Sequence, residues 1–268
     1  MKLMIWLLSA VLILSGCQVH QTNTLDILVP TGAPTIAFLS LVDDYHVETC
    51  TGSDVLVAEM SKQESDYEVI VAPINLGTKL ISQKQTAFEL QGVLTWGNLY
   101  IVGKEDALIG EGDLGLFGSG AIPEKIYRDS QIETSLNPIY YHEATQVASD
   151  LLAGKINAGM LAEPLASATM KKAQATNGDV LKILYDFQES GGYPQAAVFV
   201  KKGIDATRLY KALLSLSKAD VETALTKVDL EKMGLPTSDI DLESYERQNI
   251  RFKQIQDCQK EVEQFLIQ

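Results

Sequence analysis

Residues 114–123 have the sequence LGLFGSGAIP, and a similar stretch, DILVPTGAPT, occupies residues 26–35. Each copy is a short apolar run, then a turn of small residues with glycine, then a proline that opens a helical pattern. Such an apolar run bounded by glycine is typical of a buried strand, and proline is tolerated in the first helical turn. The repetition predicts two strand–turn–helix junctions in two similar lobes that face one another.

The composition narrows the classes of partner. The chain has 268 residues, of which 46% are hydrophobic, so it can bury a substantial core without metals or dense disulfides. Its formal net charge of −13 argues against binding nucleic acid or an anionic membrane surface, because both need clustered Lys and Arg. We therefore expect no nucleic-acid partner.

The N-terminus has the pattern of a targeting segment. Lys2 precedes an apolar run over residues 3–14 that is too short to span a bilayer, as in a signal peptide. The run ends in Leu14-Ser15-Gly16-Cys17, which resembles the bacterial lipobox. This resemblance implies cleavage before Cys17 and lipidation, including palmitate, of that cysteine. Residues 1–17 are then a lipoprotein signal peptide and residues 18–24 a polar tether, which predicts an extracytoplasmic protein anchored to the cell membrane.

From residue 25 onward, strand and helix patterns alternate, which predicts an α/β fold with mostly parallel sheets. The order of segments also repeats. Residues 69–73 (VIVAP) match residues 159–164 (GMLAEP), and residues 99–104 match residues 196–203. Three matched pairs in one order indicate internal pseudo-symmetry. The remainder is predicted to be helical, ending in a helix over residues 242–267.

Residues 144–164, with the sequence ATQVASDLLAGKINAGMLAEP, carry a resemblance to a known family. Together with the lipobox and the paired junctions, they resemble type II periplasmic binding proteins, and within these the solute-binding lipoproteins of nitrate, sulfonate, taurine and thiamine-precursor ABC importers. Asn157 stands where the family usually has Asp. The resemblance implies two Rossmann-like lobes joined by a hinge, with a ligand cleft between them. Lobe one comprises residues 25–95 plus 192–268, and lobe two comprises residues 96–191.

In that fold, four strand-to-helix junctions face the cleft, where the first N–H groups of each helix have no intrahelical partner. Ser119 is the leading candidate among the residues that could contact a ligand. Trp96 and Tyr193 flank the crossings between the lobes, where they either stack on a flat ligand or pack as hinge core. The predicted ligand-binding residues are Thr31, Gly32, Ala33, Pro73, Asn75, Trp96, Asn98, Gly118, Ser119, Gly120, Glu163 and Tyr193.

Charged residues at the cleft leave two alternatives open. Glu163 either forms a salt bridge across the hinge or caps a helix, or it accepts a hydrogen bond from a ligand. All four arginines fall in predicted helices away from the junctions, so the bidentate grip on an amino-acid carboxylate is expected to be missing. The ligand is then a small polar or anionic molecule. No catalytic motif, metal-ligand spacing or cofactor signature occurs in the sequence.

Removing Cys17 from the count leaves Cys50 and Cys258, which form either a disulfide or two separate buried thiols.

The leading functional hypothesis is a monomeric solute receptor that delivers a small molecule to an ABC permease. A ligand-sensing lipoprotein without a transporter is one alternative. An enzyme on the same fold, such as a menaquinone-pathway dehydratase, is another, although those enzymes are cytoplasmic and lack a lipobox.

Overall fold

The computed structural model describes residues 24–189, 192–235 and 242–267. The predicted signal peptide, its lipidated Cys17 and residues 18–23 of the tether lie outside this part of the chain. Within it, no helix combines the length and the apolar character that crossing a bilayer requires.

The first sheet has six strands in the order β11-β4-β10-β3-β1-β2. It takes its strands from both ends of the chain, and in the described residues six helices and the C-terminal helix accompany it. The strands are β1 Asp26–Pro30, β2 His46–Cys50, β3 Val69–Pro73, β4 Phe88–Thr95, β10 Ala196–Lys201 and β11 Ile250–Gln254; the helices are α1 Ala33–Phe38, α2 Ser53–Ser61, α3 Ile74–Ser82, α7 Thr207–Ser215, α8 Lys218–Lys227, α9 Leu242–Arg247 and α10 Ile255–Ile267.

The second sheet has five strands in the order β7-β6-β8-β5-β9 and takes all of them from the middle of the chain. Three helices accompany it. The strands are β5 Leu99–Gly103, β6 Asp113–Phe117, β7 Asn137–Tyr141, β8 Ala158–Ala162 and β9 Lys182–Asp186; the helices are α4 Ile122–Ser130, α5 Ala144–Leu152 and α6 Leu165–Asn177.

The two sheets correspond strand by strand. In the first sheet, β2, β1 and β3 are parallel to one another. The next strand, β10, runs antiparallel to both of its neighbours, β3 and β4. In the second, β7, β6 and β8 are parallel, and β5 and β9 follow as antiparallel strands. The sequence pairs therefore occupy equivalent strands, β1 with β6, β3 with β8 and β10 with β5. The two-lobed α/β fold is confirmed, but the prediction of mostly parallel sheets is wrong, because each chain crossing inserts a strand that runs against its neighbours.

The strands that carry continuous apolar runs lie in the middle of each sheet. The residues of β5 are all buried, and so are those of β10 except its last. Helix α3 packs against β10 at Gly77. A Cβ added to Gly77 would lie only 2.1 Å from the nearest atom of the Phe199 ring. A glycine is needed there because any side chain would push α3 away from the sheet. A buried hydrophobic cluster continues from Phe199 through Leu99 to Leu114 and so joins the cores of both lobes.

Residues 242–267 do not form the predicted single helix. Asn249 has a φ of 48°, which ends α9, and the chain then runs as β11 along β4. In the sequence, the apolar Ile250 and Phe252 alternate with the charged Arg251 and Lys253, and in the structure Phe252 is buried and Arg251 exposed. This alternation is the signal that the helical reading overlooked. Arg251 is therefore on a strand and not in a helix.

The chain passes between the sheets at residues 96–98 and again at residues 187–195. The two crossings contact each other, because the Tyr193 N–H donates to the Trp96 carbonyl at 3.3 Å. The Trp96 N–H also donates to the Asn249 carbonyl at 3.1 Å, and the Asn249 side-chain amide donates to the Trp96 carbonyl at 2.5 Å. The exact lobe ranges stay a prediction.

The two cysteines of the described part are free, so the disulfide is not formed. Cys50 ends β2 at one edge of the six-stranded sheet, while Cys258 lies in α10, which packs on β4 and β11 at the other edge. Three strands separate β2 from β4, and neighbouring strands lie about 4.8 Å apart. The four steps from β2 to β4 add up to about 19 Å, which exceeds the roughly 7 Å limit between the Cα atoms of a disulfide.

Candidate functional site

A cavity of about 260 Å³ lies between the lobes, at the carboxyl ends of the strands that carry the four junctions. Seven of the twelve predicted ligand contacts line it, namely Thr31, Gly32, Ala33, Pro73, Asn75, Asn98 and Glu163. The other described residues that line it are Pro30, Pro34, Thr95, Ala121, Ile122, Pro123, Ala162, Gln195 and Ala196.

The two junctions of lobe one present helix N-termini to the cavity without a side-chain cap. Gly32 precedes α1 and Pro73 precedes α3, and neither helix receives a capping hydrogen bond from a side chain. In α3 the first N–H, on Ile74, donates to the Gln195 carbonyl at 2.9 Å. The next N–H groups, beginning with that of Asn75, have no partner inside the helix. Lobe one therefore offers backbone donors to the cavity.

The β6–α4 junction of lobe two is closed by its own helix. The Glu124 carboxylate accepts from the Gly120 N–H at 2.6 Å and from the Ser119 hydroxyl at 3.4 Å. The Gly120 N–H, with Arg128 beside it, holds the pKa of Glu124 below its usual value. Gly118, Ser119 and Gly120 accordingly do not line the cavity, and Ser119 is exposed. Of the described residues of this junction, Ala121, Ile122 and Pro123 line the cavity.

The β8–α6 junction is also tied to a carboxylate, that of the buried Glu163. Glu163 accepts from the Ser167 backbone N–H at 3.2 Å and from the Ser167 hydroxyl at 2.7 Å, so it caps α6. Its Oε1 atom lies 2.5 Å from Nε of Arg247, which comes from lobe one. Glu163 thus combines the interlobe salt bridge with the helix cap, and it still borders the cavity.

Arg247 corrects one expectation from the sequence. It is not remote from the junctions, since it contacts both Glu163 and Ser167, whose hydroxyl accepts from it at 2.6 Å. Its own carbonyl accepts from the Tyr100 hydroxyl of lobe two at 2.9 Å. Burial raises the pKa of Tyr100 above its usual value, so this phenol stays a donor at neutral pH. No sequence pattern indicated this position of Arg247, because the short helix that carries it ends just before the unpredicted β11.

The crossings supply two side-chain amides to the cavity. The Asn98 Nδ2 donates to the Glu163 carbonyl at 3.0 Å, and the Asn98 side chain is buried. Because a carbonyl oxygen only accepts, this bond fixes the amide orientation and turns Oδ1 away from Glu163. Among the described residues, Oδ1 of Asn98 and Oε1 of Gln195 are buried oxygens that have no hydrogen-bond partner. Gln195 was not predicted from the sequence.

Trp96 and Tyr193 lie on the other side of the crossings. They line a second cavity of about 600 Å³, in which the Trp96 ring faces the Lys253 ammonium at 4.3 Å from the ring centroid. The Trp96 indole N–H donates to the Arg251 carbonyl at 2.8 Å, and Tyr193 stacks on Phe265. Burial raises the pKa of Tyr193 well above its usual value. Both side chains are packed within the hinge and do not border the junction cavity.

Comparison with solved structures identifies the architecture. An ABC transporter protein from Parabacteroides distasonis superposes with a TM-score of 0.75 and 21% identity over 91% of each chain. The fold is that of a type II periplasmic binding protein. The periplasmic aliphatic sulphonate binding protein SsuA from Escherichia coli shares this binding-protein fold, with a TM-score of 0.59 and 13% identity, over 86% of this chain and 80% of its own.

A third structure with the binding-protein fold is the zinc-bound ligand-binding component of an ABC-type import system from Staphylococcus aureus. It has a TM-score of 0.54 and 10% identity, over 86% of this chain and 84% of its own. Comparison with protein-family models and with curated proteins finds no match. In the described part of this chain, no three His, Cys, Asp or Glu side chains are grouped so as to hold a metal ion.

Proposed function

We propose that this protein is the solute-binding component of an ABC importer and that it holds a small polar molecule in the cavity between its lobes. It acts by binding and not by catalysis. The permease of the importer is its protein partner, and the chain works as a monomer on the extracytoplasmic side of the membrane. Lipidation of Cys17 supplies the anchor.

The observation that carries this proposal is the cavity of about 260 Å³ that both lobes line at the carboxyl ends of their strands. Lobe one contributes the junctions at Gly32 and Pro73, and lobe two contributes Ala121 and Glu163. A solute that contacts both sides links the two lobes, which favours hinge closure.

Native mass spectrometry tests the proposal on the full-length protein purified from the envelope of its own cells. We expect a one-to-one adduct with a small molecule. The variant Ala162→Phe, which fills the cavity, should lack the adduct, whereas Ala153→Phe, at an exposed position after α5, should retain it. A protein without an adduct, or an adduct that survives Ala162→Phe, would contradict the proposal.

The anchor is tested separately by metabolic labelling with a fatty-acid analogue. Wild-type protein should incorporate the label, and Cys17→Ser should not. Labelling of the Cys17→Ser variant would show that the anchor is attached elsewhere or that the lipobox resemblance is misleading.

A further inference from the structure

Arg247 joins the two lobes beside the crossings of the chain. We propose that it forms a third link between the lobes and that this link fixes the orientation in which they meet. Arg247 is then a positioning residue for the interlobe cavity, because it contacts Glu163, which lines that cavity. The inference goes beyond the proposed function, since it concerns the movement of the lobes and holds for any solute.

The first step concerns the side chain of Arg247. Its Nε atom donates to Oε1 of Glu163 at 2.5 Å, and its Nη2 atom donates to the Ser167 hydroxyl at 2.6 Å. The Glu163 side chain is 0% exposed and that of Arg247 is 19% exposed, so water and salt screen this ion pair much less than a surface pair. Glu163 follows β8, and Ser167 lies in the first turn of α6. The guanidinium from lobe one is therefore bound to a junction of lobe two.

The second step concerns the main chain of the same residue. The Tyr100 hydroxyl donates to the Arg247 carbonyl at 2.9 Å. Tyr100 is 4% exposed and lies in β5, which is next to β8 in the second sheet. Lobe two therefore holds Arg247 by its main chain as well as by its side chain. A change of rotamer would release only one of these two attachments.

The third step concerns the attachment of Arg247 to lobe one. Asn249 follows two residues later, and it exchanges hydrogen bonds with the backbone of Trp96 at 3.1 and 2.5 Å. The chain then continues as β11 along β4 of the first sheet. Arg247 is thus held close to the first crossing and to the first sheet. A movement of lobe one is therefore passed on to the contacts with lobe two.

The position of the link decides which movements it restricts. The crossings are bonded to each other, by the Tyr193 N–H and the Trp96 carbonyl, and form one narrow connection about which two lobes can bend and twist. Glu163 lies beside that connection, since its N–H donates to the Asn98 carbonyl at 3.0 Å. Bending displaces the atoms close to a hinge least. The Arg247 bonds therefore allow the cleft to close, while they restrict the twist of one lobe against the other.

Double electron–electron resonance on the full chain without solute tests the inference. Spin labels are attached through p-azidophenylalanine at two exposed positions, Gln83 after α3 and Ala153 after α5, so the native cysteines stay in place. We expect a narrow distribution of distances in the otherwise unchanged protein and one at least about twofold wider in Arg247→Met. Tyr100→Phe removes one bond of the link and leaves no unpaired charge, so it should widen the distribution by less.

Two further variants separate positioning from stability. Arg208→Met is the matched control, because Arg208 pairs with Asp44 at 2.6 Å within lobe one, and it should keep the original width. The double variant Glu163→Gln with Arg247→Met removes the unpaired buried charge but does not restore the link. It should therefore stay as wide as Arg247→Met. A pair that only stabilises the fold would return the double variant to the original width, and this result would overturn the inference.

An unchanged width in both Arg247→Met and Tyr100→Phe would also overturn it, and so would equal widening in Arg208→Met. If Arg247→Met does not fold, Tyr100→Phe and the double variant decide. The proposed function fails on a different result, the absence of a cavity-dependent adduct from cells.

Discussion

The two lobes have the same strand order but treat their helix N-termini differently. In lobe one, α1 and α3 begin at the cavity without a side-chain cap. In lobe two, the junctions before α4 and α6 are each tied by a glutamate, Glu124 in the first and Glu163 in the second. Each carboxylate of lobe two accepts one backbone N–H of its junction, that of Gly120 or that of Ser167. No carboxylate of the described part bonds a junction N–H before α1 or α3 in this way.

The difference depends on one helix position. Thr35 of α1 and Glu124 of α4 each stand immediately after the proline of the repeated motif. The Thr35 hydroxyl donates back to the Pro30 carbonyl at 2.9 Å, whereas Glu124 accepts from the Gly120 N–H. A donor such as Thr35 bonds a carbonyl of the turn and leaves the N–H groups of the turn without a bond from this side chain. The acceptor Glu124 bonds the Gly120 N–H, so we expect the turn of the first copy, and not that of the second, to contact a solute.

The largest effect is expected at the β8–α6 junction. Arg247→Met leaves the carboxylate of Glu163 buried without its cation, which typically costs about 3–5 kcal/mol of unfolding free energy. The double variant Glu163→Gln with Arg247→Met should recover much of this loss, because it removes the charge as well. Urea unfolding of the three proteins measures the effect. A loss below about 1 kcal/mol in Arg247→Met would contradict a stabilising role for the pair.

A smaller loss is expected in the open junction of lobe one. Thr35 is fully buried, and Thr35→Val removes the hydroxyl that donates to the Pro30 carbonyl without changing the side-chain shape. An unsatisfied carbonyl should cost about 1–3 kcal/mol, measured by urea unfolding. Thr35→Ser keeps the donor and should lose less. Equal stability of Thr35→Val and wild type would show that this bond does not hold the turn.

The smallest stability effect is expected at the β6–α4 junction, and it should depend on pH. The pKa of Glu124 is lowered in the folded protein, so its contribution is present at neutral pH and is lost as pH falls through that lowered value. Glu124→Gln should therefore lower the melting temperature at pH 7, and by less as the pH falls. The exposed Glu133→Gln serves as a charge control. A difference that grows in acid would contradict the role assigned to Glu124.

Much of the fold could be predicted because repetition is visible in the sequence. The strand pairs β1 with β6 and β3 with β8 follow from similar apolar runs that end at glycine or proline. The antiparallel insertion of β10 could not be read from these runs, because apolar pattern does not encode strand direction. The short β11 lies within a stretch that has a helical pattern. Because β11 was not predicted, neither the position of Arg247 nor the separation of Cys50 from Cys258 could be predicted.

The candidate site was predicted less completely, for a related reason. Strand-to-helix junctions are local features, and Thr31, Pro73 and Asn75 could be found from turn residues alone. Glycine and serine in a turn do not reveal whether a later side chain accepts from their N–H groups, as Glu124 does from Gly120. Gln195 could not be predicted from the neighbouring sequence, because it lines the cavity only when the two crossings lie side by side.

The most direct test of this account compares two affinities for the solute that co-purifies with the wild-type protein. Calorimetric titration of Ala162→Phe should show binding weakened about tenfold or more, because the larger side chain fills the cavity. Titration of Ser119→Ala should show an affinity within about twofold of wild type, because its hydroxyl bonds Glu124 and does not line the cavity. Full affinity in Ala162→Phe together with weakened binding in Ser119→Ala would contradict the account.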